Sequence, residues 1–324
     1  MLATIYGLKQ VAQDGLGWLA ALSIAAGLVL GVVFVRRQRA LDDPLLDLRL
    51  FRAPAFSAAL VIATLSFFAV FAAFLLIAQY LQLVLGLTPL RAGLWTLPSA
   101  GGLVAGSMLA PLIVHRMRPA SAITGGLVVA ATGFALLTRV DPASGLTVVV
   151  TASVILALGI GAVGTLATDL IVGTAPPDRA GAASALSETS SELGGALGIA
   201  VLGSVGTAVY RSQMAGAVPP GVPPEAAAAG RDTLGGALAA AQDLPAQLGG
   251  ILLAAARDAF TQGLHVTAAA SVAMVIGIAV LATVTLRGTR PGGAQRPAQP
   301  AETSAPLSPL PAASPASTDA PSDP

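Results

Sequence analysis

Residues 175–209 read APPDRAGAASALSETSSELGGALGIAVLGSVGTAV, and this stretch decides the fold. A charged Pro-Pro turn is followed, from Ala180 onward, by a mostly apolar sequence that continues for about 30 residues as a predicted helix. At about 1.5 Å per residue such a helix is about 45 Å long, whereas the hydrocarbon core of a bilayer is about 30 Å thick. We therefore predict a membrane-crossing helix whose first turns lie at or below a membrane surface.

The predicted helix carries two different faces. Glu188 and Glu192 are four residues apart, so they lie on one face. A neighbouring stripe of small residues contains Gly194 and Gly198 at GxxxG spacing, with Gly195 beside it, and such stripes allow close helix contact in membranes. We expect one face to offer charge and its neighbour to pack tightly against another helix.

The composition of the whole chain indicates a membrane protein. Hydrophobic residues make up 55% of the 324 residues and charged residues only 10%, against about a quarter charged in soluble domains. The absence of cysteine excludes disulfides and thiolate metal sites. Two histidines are too few for a multi-histidine metal site, and the sequence has no nucleotide-binding or hydrolase motif. We therefore predict an all-α, polytopic membrane protein without a metal and without enzymatic activity.

Long apolar runs predict how the chain crosses the membrane. Seven runs are long enough to span it: 18–35, 57–85, 92–114, 120–138, 146–172, 182–209 and 260–286. Residues 1–8 resemble the last two turns of a membrane helix that begins before Met1, and residues 17–35 form the first complete span. The remaining six spans, within residues 57–286, are expected to form one helix bundle.

Two regions between and after these spans have other predicted structures. Residues 211–258 are predicted as a long loop that holds two Ala-rich surface helices, at about 225–241 and 245–259. Residues 287–324 are rich in Pro, Ala and Ser and have too little apolar content to fold, so they are predicted to be a disordered tail.

The basic residues predict the orientation. By the positive-inside rule, the loops richer in Lys and Arg face the cytoplasm. Alternate loops divide the 17 basic residues into eleven and six, and the richer set includes the loop after residue 35 and the C-terminal flank. We therefore expect a multi-pass protein of the cytoplasmic membrane with a cytoplasmic C-terminus and residues 211–258 outside the cell.

Asp169 lies five residues before the end of an otherwise apolar span. Ionisable residues inside spans usually face the bundle interior and mark functional sites. Counted from the turn at 175–179, Asp169 and Glu188 lie at similar depth, so Asp169, Glu188 and Glu192 are candidates for proton coupling or gating in one vestibule. In the alternative, the glutamates complement the positive start of their helix and Asp169 pairs with Arg179.

Two amides, Gln79 and Gln82, lie three residues apart near the predicted outer end of the span at 57–85. Buried amides in a membrane need hydrogen-bond partners, so both are candidates to line a cavity. In the alternative they are interfacial anchors, as is usual for residues such as their neighbour Tyr80.

Three motifs together carry a resemblance to a known family. They are PPDRAGAASALSETSSELGGALGIAVLGS, DPLLDLRLFR and YLQLVLGLTPLRAGL. With them the chain resembles the fourteen-helix drug/proton antiporters of the major facilitator superfamily, of the multidrug and quaternary-ammonium exporter type. In that family two six-helix bundles flank a central substrate path, with two inserted helices between them. The resemblance implies that 17–35 is an inserted helix and that 57–286 is the C-terminal bundle.

The resemblance also implies a function. The chain is expected to be the C-terminal part of a proton-coupled efflux transporter for hydrophobic or cationic small molecules, with the proton gradient as energy source and no cofactor. Its expected partners are those substrates, protons, the lipid bilayer and, if it is separately encoded, an N-terminal transporter half, but not nucleic acid. The chain departs from the family because no part of it matches the N-terminal bundle. The alternative is therefore a non-transporting half-unit or a truncated remnant of such a transporter.

Overall fold

The computed structural model describes residues 18–40, 49–141 and 145–287, and it is built from helices, with no strand in these three ranges. In chain order the helices are α1 (Trp18–Ala40), α2 (Pro54–Gln79), α3 (Pro89–Val114), α4 (Pro119–Leu137), α5 (Gly145–Gly173), α6 (Ala180–Ala217), α7 (Pro224–Asp232), α8 (Leu234–Gln242) and α9 (Ala246–Leu286). A π-helical turn, Tyr80–Val84, continues α2, and 3-10 turns occur at Leu50–Arg52 and Pro177–Arg179. The all-α prediction is confirmed.

The short connections follow from the residues at the helix starts. Pro54, Pro89 and Pro119 are the first residues of α2, α3 and α4, where the fixed φ of proline suits a helix and its missing N–H is not needed. Thr88 caps α3 because its side-chain oxygen accepts a hydrogen bond from the Arg91 N–H. These signals end one helix and begin the next within a few residues.

Six helices of the described part are long and apolar enough to cross a membrane, namely α2 with its π turn, α3, α4, α5, α6 with the turn before it, and α9. They correspond to the six spans that were predicted within 57–286. Helix α1 covers the predicted run at 18–35, and its role as an inserted membrane helix stays a prediction. The predictions for residues 1–8 and for the tail after Arg287 lie outside the described residues.

Helix α5 lies at the centre of the packing. It packs between α3 and α4 and also contacts α2. Helix α2 in turn packs along α6. Helix α9 lies against α4, α6 and α2. Glycines set several of these distances: a Cβ on Gly106 of α3 would lie 2.0 Å from the Leu158 carbonyl oxygen of α5. Since only glycine allows such an approach, small residues hold the bundle together where a soluble protein would use large apolar ones.

The region 211–258 differs from its prediction. Helix α6 continues to Ala217, and the segment 245–259, which was predicted as a separate surface helix, is the beginning of the 41-residue helix α9. Its side chains pack against α7, α8 and the end of α6, so the long helix is stabilised beyond the membrane span.

The segment at 225–241 is two helices, α7 and α8, and not one. Thr233 separates them because its backbone is extended (φ −150°, ψ 155°) and its side chain caps α8 by accepting a hydrogen bond from the Gly236 N–H. Only short stretches around these helices, at 218–223 and 243–245, are irregular. The predicted long loop is therefore mostly helical.

Candidate functional site

A cavity of about 640 Å³ lies at the end of the bundle where α7 and α8 are found, which we call the capped end. Its walls come from α2, α6 and α9, and its roof comes from the α7–α8 junction. Wall residues include Leu75, Gln79, Ala200, Gly203 and Phe260, and Asp232 to Gly235 form the roof. We call this space the capped cavity.

Beside the cavity wall, α2 and α6 are in very close contact. A Cβ on Gly198 would lie 1.9 Å from the Phe68 carbonyl oxygen, so the two backbones touch there. Beyond this contact, α6 presents small residues such as Ala200 and Gly203 to the space between the helices. Their side chains are too small to fill that space, so a cavity remains.

The three glycines that were singled out for packing all lie on the α2 side of α6 and are buried. A Cβ on Gly194 would come within 2.3 Å of the Thr64 carbonyl oxygen, and one on Gly195 within 2.8 Å of the Phe71 ring. With Gly198, they form a line of contact in which Gly194 and Gly198 lie on the backbone of α2 and Gly195 lies on the Phe71 ring.

The polar groups of the capped cavity differ in what they already bind. Ser204 and Thr207 donate their hydroxyl protons to carbonyl oxygens one turn earlier, those of Ala200 and Gly203. Gln79 lines the cavity and is half-buried, and its amide forms no hydrogen bond with any residue in the described ranges. The Gln79 amide therefore has both its donor and its acceptor capacity free toward the described residues.

Gln82 has a different position. It is exposed and is not part of the cavity wall. The reason is the π-helical turn Tyr80–Val84, which holds more residues per turn than an α-helix and so rotates Gln82 away from the direction of Gln79. Three-residue spacing therefore does not place the two amides together.

The roof of the cavity is held by the end of α6. The buried Tyr210 hydroxyl donates a hydrogen bond to the Gly230 carbonyl oxygen at 2.6 Å. Next to it, Arg211 forms an ion pair with Asp232, in which both side chains are exposed, at 39% and 62%. Tyr210 also packs with Leu234 in a separate apolar cluster. These contacts fix α7 and α8 over the cavity.

The two glutamates of α6 lie on an exposed face of the helix. Ala196, which is exposed and lines the capped cavity, follows Glu192 by four residues and thus lies on the same face, about 6 Å further along the helix. One face of α6 therefore runs from Glu188 through Glu192 into the cavity wall.

Asp169 is exposed on α5 near the opposite end of the bundle. Residues beside it and beside Glu188 belong to one apolar cluster around the start of α2, formed by Ala167, Ile171, Ala183, Leu186, Phe56 and their neighbours. Asp169 and Glu188 thus lie at the same end of the bundle.

The part of the chain that the structure describes contains no group of three His, Asp or Glu side chains close enough for a metal ion. Arg179 pairs with the adjacent Asp178 at 3.3 Å.

Sequence reasoning missed the roof residues Tyr210, Asp232 and Thr233. A signal was present for Thr233, because a threonine followed by Leu-Gly-Gly after an acidic residue is a helix N-cap pattern. No sequence signal connects Tyr210 with Gly230, which are 20 residues apart and meet only after α7 folds back on α6.

Comparisons with known proteins point to one family. Residues 2–199 match the family model described as Major Facilitator Superfamily. The chain is 40% identical over 291 residues to the multidrug efflux pump LfrA of Mycolicibacterium smegmatis, covering 89% of this chain and 56% of the pump. It is 30% identical to the tetracenomycin C resistance and export protein of Streptomyces glaucescens, over 87% of this chain and 54% of that protein. The chain thus spans a little over half the length of these relatives.

A solved structure supports the fold. The crystal structure of a bacterial homolog of the human lysosomal transporter Spinster, in an inward-facing and unoccupied conformation, superposes with a TM-score of 0.55. The match covers 89% of this chain and 65% of that chain, at 17% sequence identity. At this identity the likeness concerns the arrangement of helices alone.

Proposed function

Because this chain belongs to the major facilitator superfamily, we propose that it is the C-terminal bundle, with one inserted helix, of a fourteen-helix proton-coupled exporter. The family and the fold are those of transporters and not of enzymes, and the chain is a multi-pass membrane protein. The proposed substrates are hydrophobic or cationic small molecules, which agrees with relatives that are named as multidrug and antibiotic exporters. The C-terminus is proposed to be cytoplasmic, which places the capped end outside.

The observation that carries this proposal is the continuous face of α6. It joins two carboxylates, Glu188 and Glu192, to the wall of a drug-sized cavity. Carboxylates that bind and release protons next to a substrate space are the arrangement that proton-coupled transport requires, because protonation then changes the charge that the substrate meets.

In the proposed mechanism the bundle rocks against an N-terminal bundle that the rest of the transporter supplies. In one conformation of the transport cycle, Glu188 and Glu192 of α6 take up protons. Asp169 of α5 lies at the same end of the bundle as Glu188 and controls access to that end. The glycine contact between α6 and α2 allows the small shift between helices that rocking needs, since Gly194 and Gly198 meet the backbone of α2 and carry no side chains that could interlock with it.

The acids are tested in a chimera. The part of LfrA that this chain does not cover is joined to the full chain, and tetraphenylphosphonium flux is measured in proteoliposomes with an imposed pH gradient. We expect Glu192→Gln to lower the gradient-driven flux at least tenfold, because an amide cannot release a proton.

The matched control is Glu225→Gln, which makes the same change at an exposed acid on α7 and is expected to keep the flux. Equal flux in the two variants would remove Glu192 from the mechanism. A folded chimera without flux would instead favour the second candidate function, a half-unit that does not transport.

A further inference from the structure

We propose that the turn between α3 and α4 binds an anionic phospholipid, whose phosphate pairs with Arg116 and Arg118 and whose acyl chain lies along the exposed face of α3. The turn consists of residues 115–118, between the last residue of α3 and the first of α4, and it lies opposite the capped end. The inference concerns the outer surface of the bundle. It therefore needs neither a transported substrate, a proton gradient nor an N-terminal bundle.

The turn has two exposed arginines and no acidic residue near them in sequence. Arg116 and Arg118 are exposed, and neither forms an ion pair with another described residue. The sequence contains no Asp or Glu at positions 48–140, so α2, α3 and α4 contribute no carboxylate. Asp169 of α5 lies at the same end of the bundle and pairs with neither arginine. Both guanidinium groups are therefore available for charge-assisted hydrogen bonds to a phosphate.

A third basic residue, Arg287, lies at the same level of the bundle. The His265 Nε2 atom is 2.8 Å from the Val140 carbonyl oxygen, which fixes the level of α9 against the end of α4. Helix α4 starts at the turn and α9 starts at the capped end, so the two packed helices run in opposite directions. Arg287 follows His265 by 22 residues and Arg118 precedes Val140 by 22 residues. This end of the bundle is therefore positively charged on two neighbouring helices.

The exposed face of α3 supplies the apolar part of the surface. Val104, Met108 and Leu112 are 57%, 69% and 63% exposed, and their four-residue spacing places them on one face. Arg116 follows Leu112 by another four residues. From 104 to 112 the face extends about 12 Å, which is most of the depth of about 15 Å that one leaflet contributes to the hydrocarbon core. An acyl chain along this face thus ends with its headgroup at the turn.

Charge selects the kind of lipid. A zwitterionic lipid covers the same apolar face but brings no net charge to Arg116 and Arg118. Each arginine near an anionic lipid surface gains about fivefold in affinity, so two arginines give a preference of roughly twentyfold at low salt. Met117, between them, is also exposed and apolar, which suits a turn at the boundary between headgroups and acyl chains.

The test measures quenching of one tryptophan by brominated lipids. The full chain carries Trp18→Phe and Trp95→Phe, which remove both natural tryptophans, and Leu112→Trp as the reporter. It is reconstituted in phosphatidylcholine nanodiscs that contain a small, equal fraction of either brominated phosphatidylglycerol or brominated phosphatidylcholine. We expect the apparent affinity of the reporter site for phosphatidylglycerol to exceed that for phosphatidylcholine at least fivefold. A second chain with Leu90→Trp reports the exposed start of α3 and should show no such preference.

Two double variants remove equal charge from opposite ends of α3 and α4. Arg116→Gln with Arg118→Gln should reduce the preference of the reporter at position 112 to about one. Arg91→Gln with Arg139→Gln removes two exposed arginines from the other ends of the same helices and should leave the preference unchanged. The preference should also disappear at high salt, where exposed charges are screened. If the first double variant is not monodisperse, the salt titration of the two reporters decides alone.

Four results would overturn the proposal. In the first, both brominated lipids quench the reporter at position 112 equally, or the two double variants behave alike. In the second, the reporter at position 90 shows the same preference. In the third, neither lipid quenches the reporter at position 112, so that protein, such as a second copy of the chain, covers this face. In the fourth, inorganic phosphate removes the preference more than chloride at equal ionic strength, so that the turn binds a free anion. None of these results depends on transport, so this surface and the proposed function can fail separately.

Discussion

The contact of Gly198 with α2 predicts which small substitution is most damaging to the bundle. A Cβ at this position would lie 1.9, 2.6 and 2.8 Å from the carbonyl oxygen, carbonyl carbon and Cα of Phe68. Separations below 3.0 Å are essentially never seen for a real Cβ, so Gly198→Ala forces the two backbones apart by about 1.1 Å at the oxygen. No side-chain rotation relieves this clash, because all three obstacles are backbone atoms.

The expected cost follows from overpacking. Forcing packed elements apart costs about 1–3 kcal/mol, and the shift also loosens the neighbouring contacts of Gly194 and Gly195 with α2. Gly203→Ala is the matched control, since it lies on the same helix and its Cβ meets nothing within 4 Å. At Gly203 the higher helix propensity of alanine acts alone, and this propensity stabilises α6 by about 1 kcal/mol or less.

The assay is the fraction of monodisperse chain after heating in detergent, measured by size-exclusion chromatography. We expect the apparent Tm of Gly198→Ala to lie about 2 °C or more below that of Gly203→Ala, taking about 2 °C per kcal/mol, the low end of the range for chains of about 150–250 residues. Equal apparent Tm values for the two variants would refute the reasoning that backbone contact at Gly198 sets the distance between α2 and α6.

Two further predictions concern the roof. Tyr210→Phe removes the hydrogen bond to the Gly230 carbonyl oxygen, so amide hydrogen exchange in α7 should become roughly fivefold faster; unchanged exchange would show that this bond does not hold the roof. Thr233→Ala removes the cap of α8, which costs about 1 kcal/mol. Amide exchange in the first turn of α8 should therefore become faster by a similar factor. Thr233→Ser keeps the capping hydroxyl and should keep the original rate. Equal rates in these two variants would contradict the capping role.

The six membrane helices were predictable from the sequence because long apolar runs and proline starts act locally. A run of the length of 146–172 has no stable alternative to a helix in a bilayer, since every backbone group needs an internal partner. The glycine pattern around Gly194 and Gly198 also indicated close contact, but the partner helix was not predictable. Which helix meets a glycine stripe depends on the packing of the whole bundle.

The capped cavity was not predictable, because its lining comes from α2, α6, α9 and the α7–α8 junction, which meet only in the folded chain. Gln79 was a predicted candidate and lies in the wall of the capped cavity. The π-helical turn that turns Gln82 away leaves no clear mark in the sequence. The extension of α9 back to Ala246 was missed since its Ala-rich start looks like an independent surface helix. Its stability comes from packing against α7 and α8, and tertiary contacts of that kind are not visible in composition.

The most direct test of the proposed function is flux through the chimera of this chain with the part of LfrA that it does not cover. Tetraphenylphosphonium flux is measured in proteoliposomes with an imposed pH gradient, and again after nigericin has collapsed the gradient. We expect flux against the concentration gradient of the cation, and we expect this flux to stop when the pH gradient is removed. Flux that is indifferent to the pH gradient, or a monodisperse chimera that moves no cation while LfrA itself does, would contradict it.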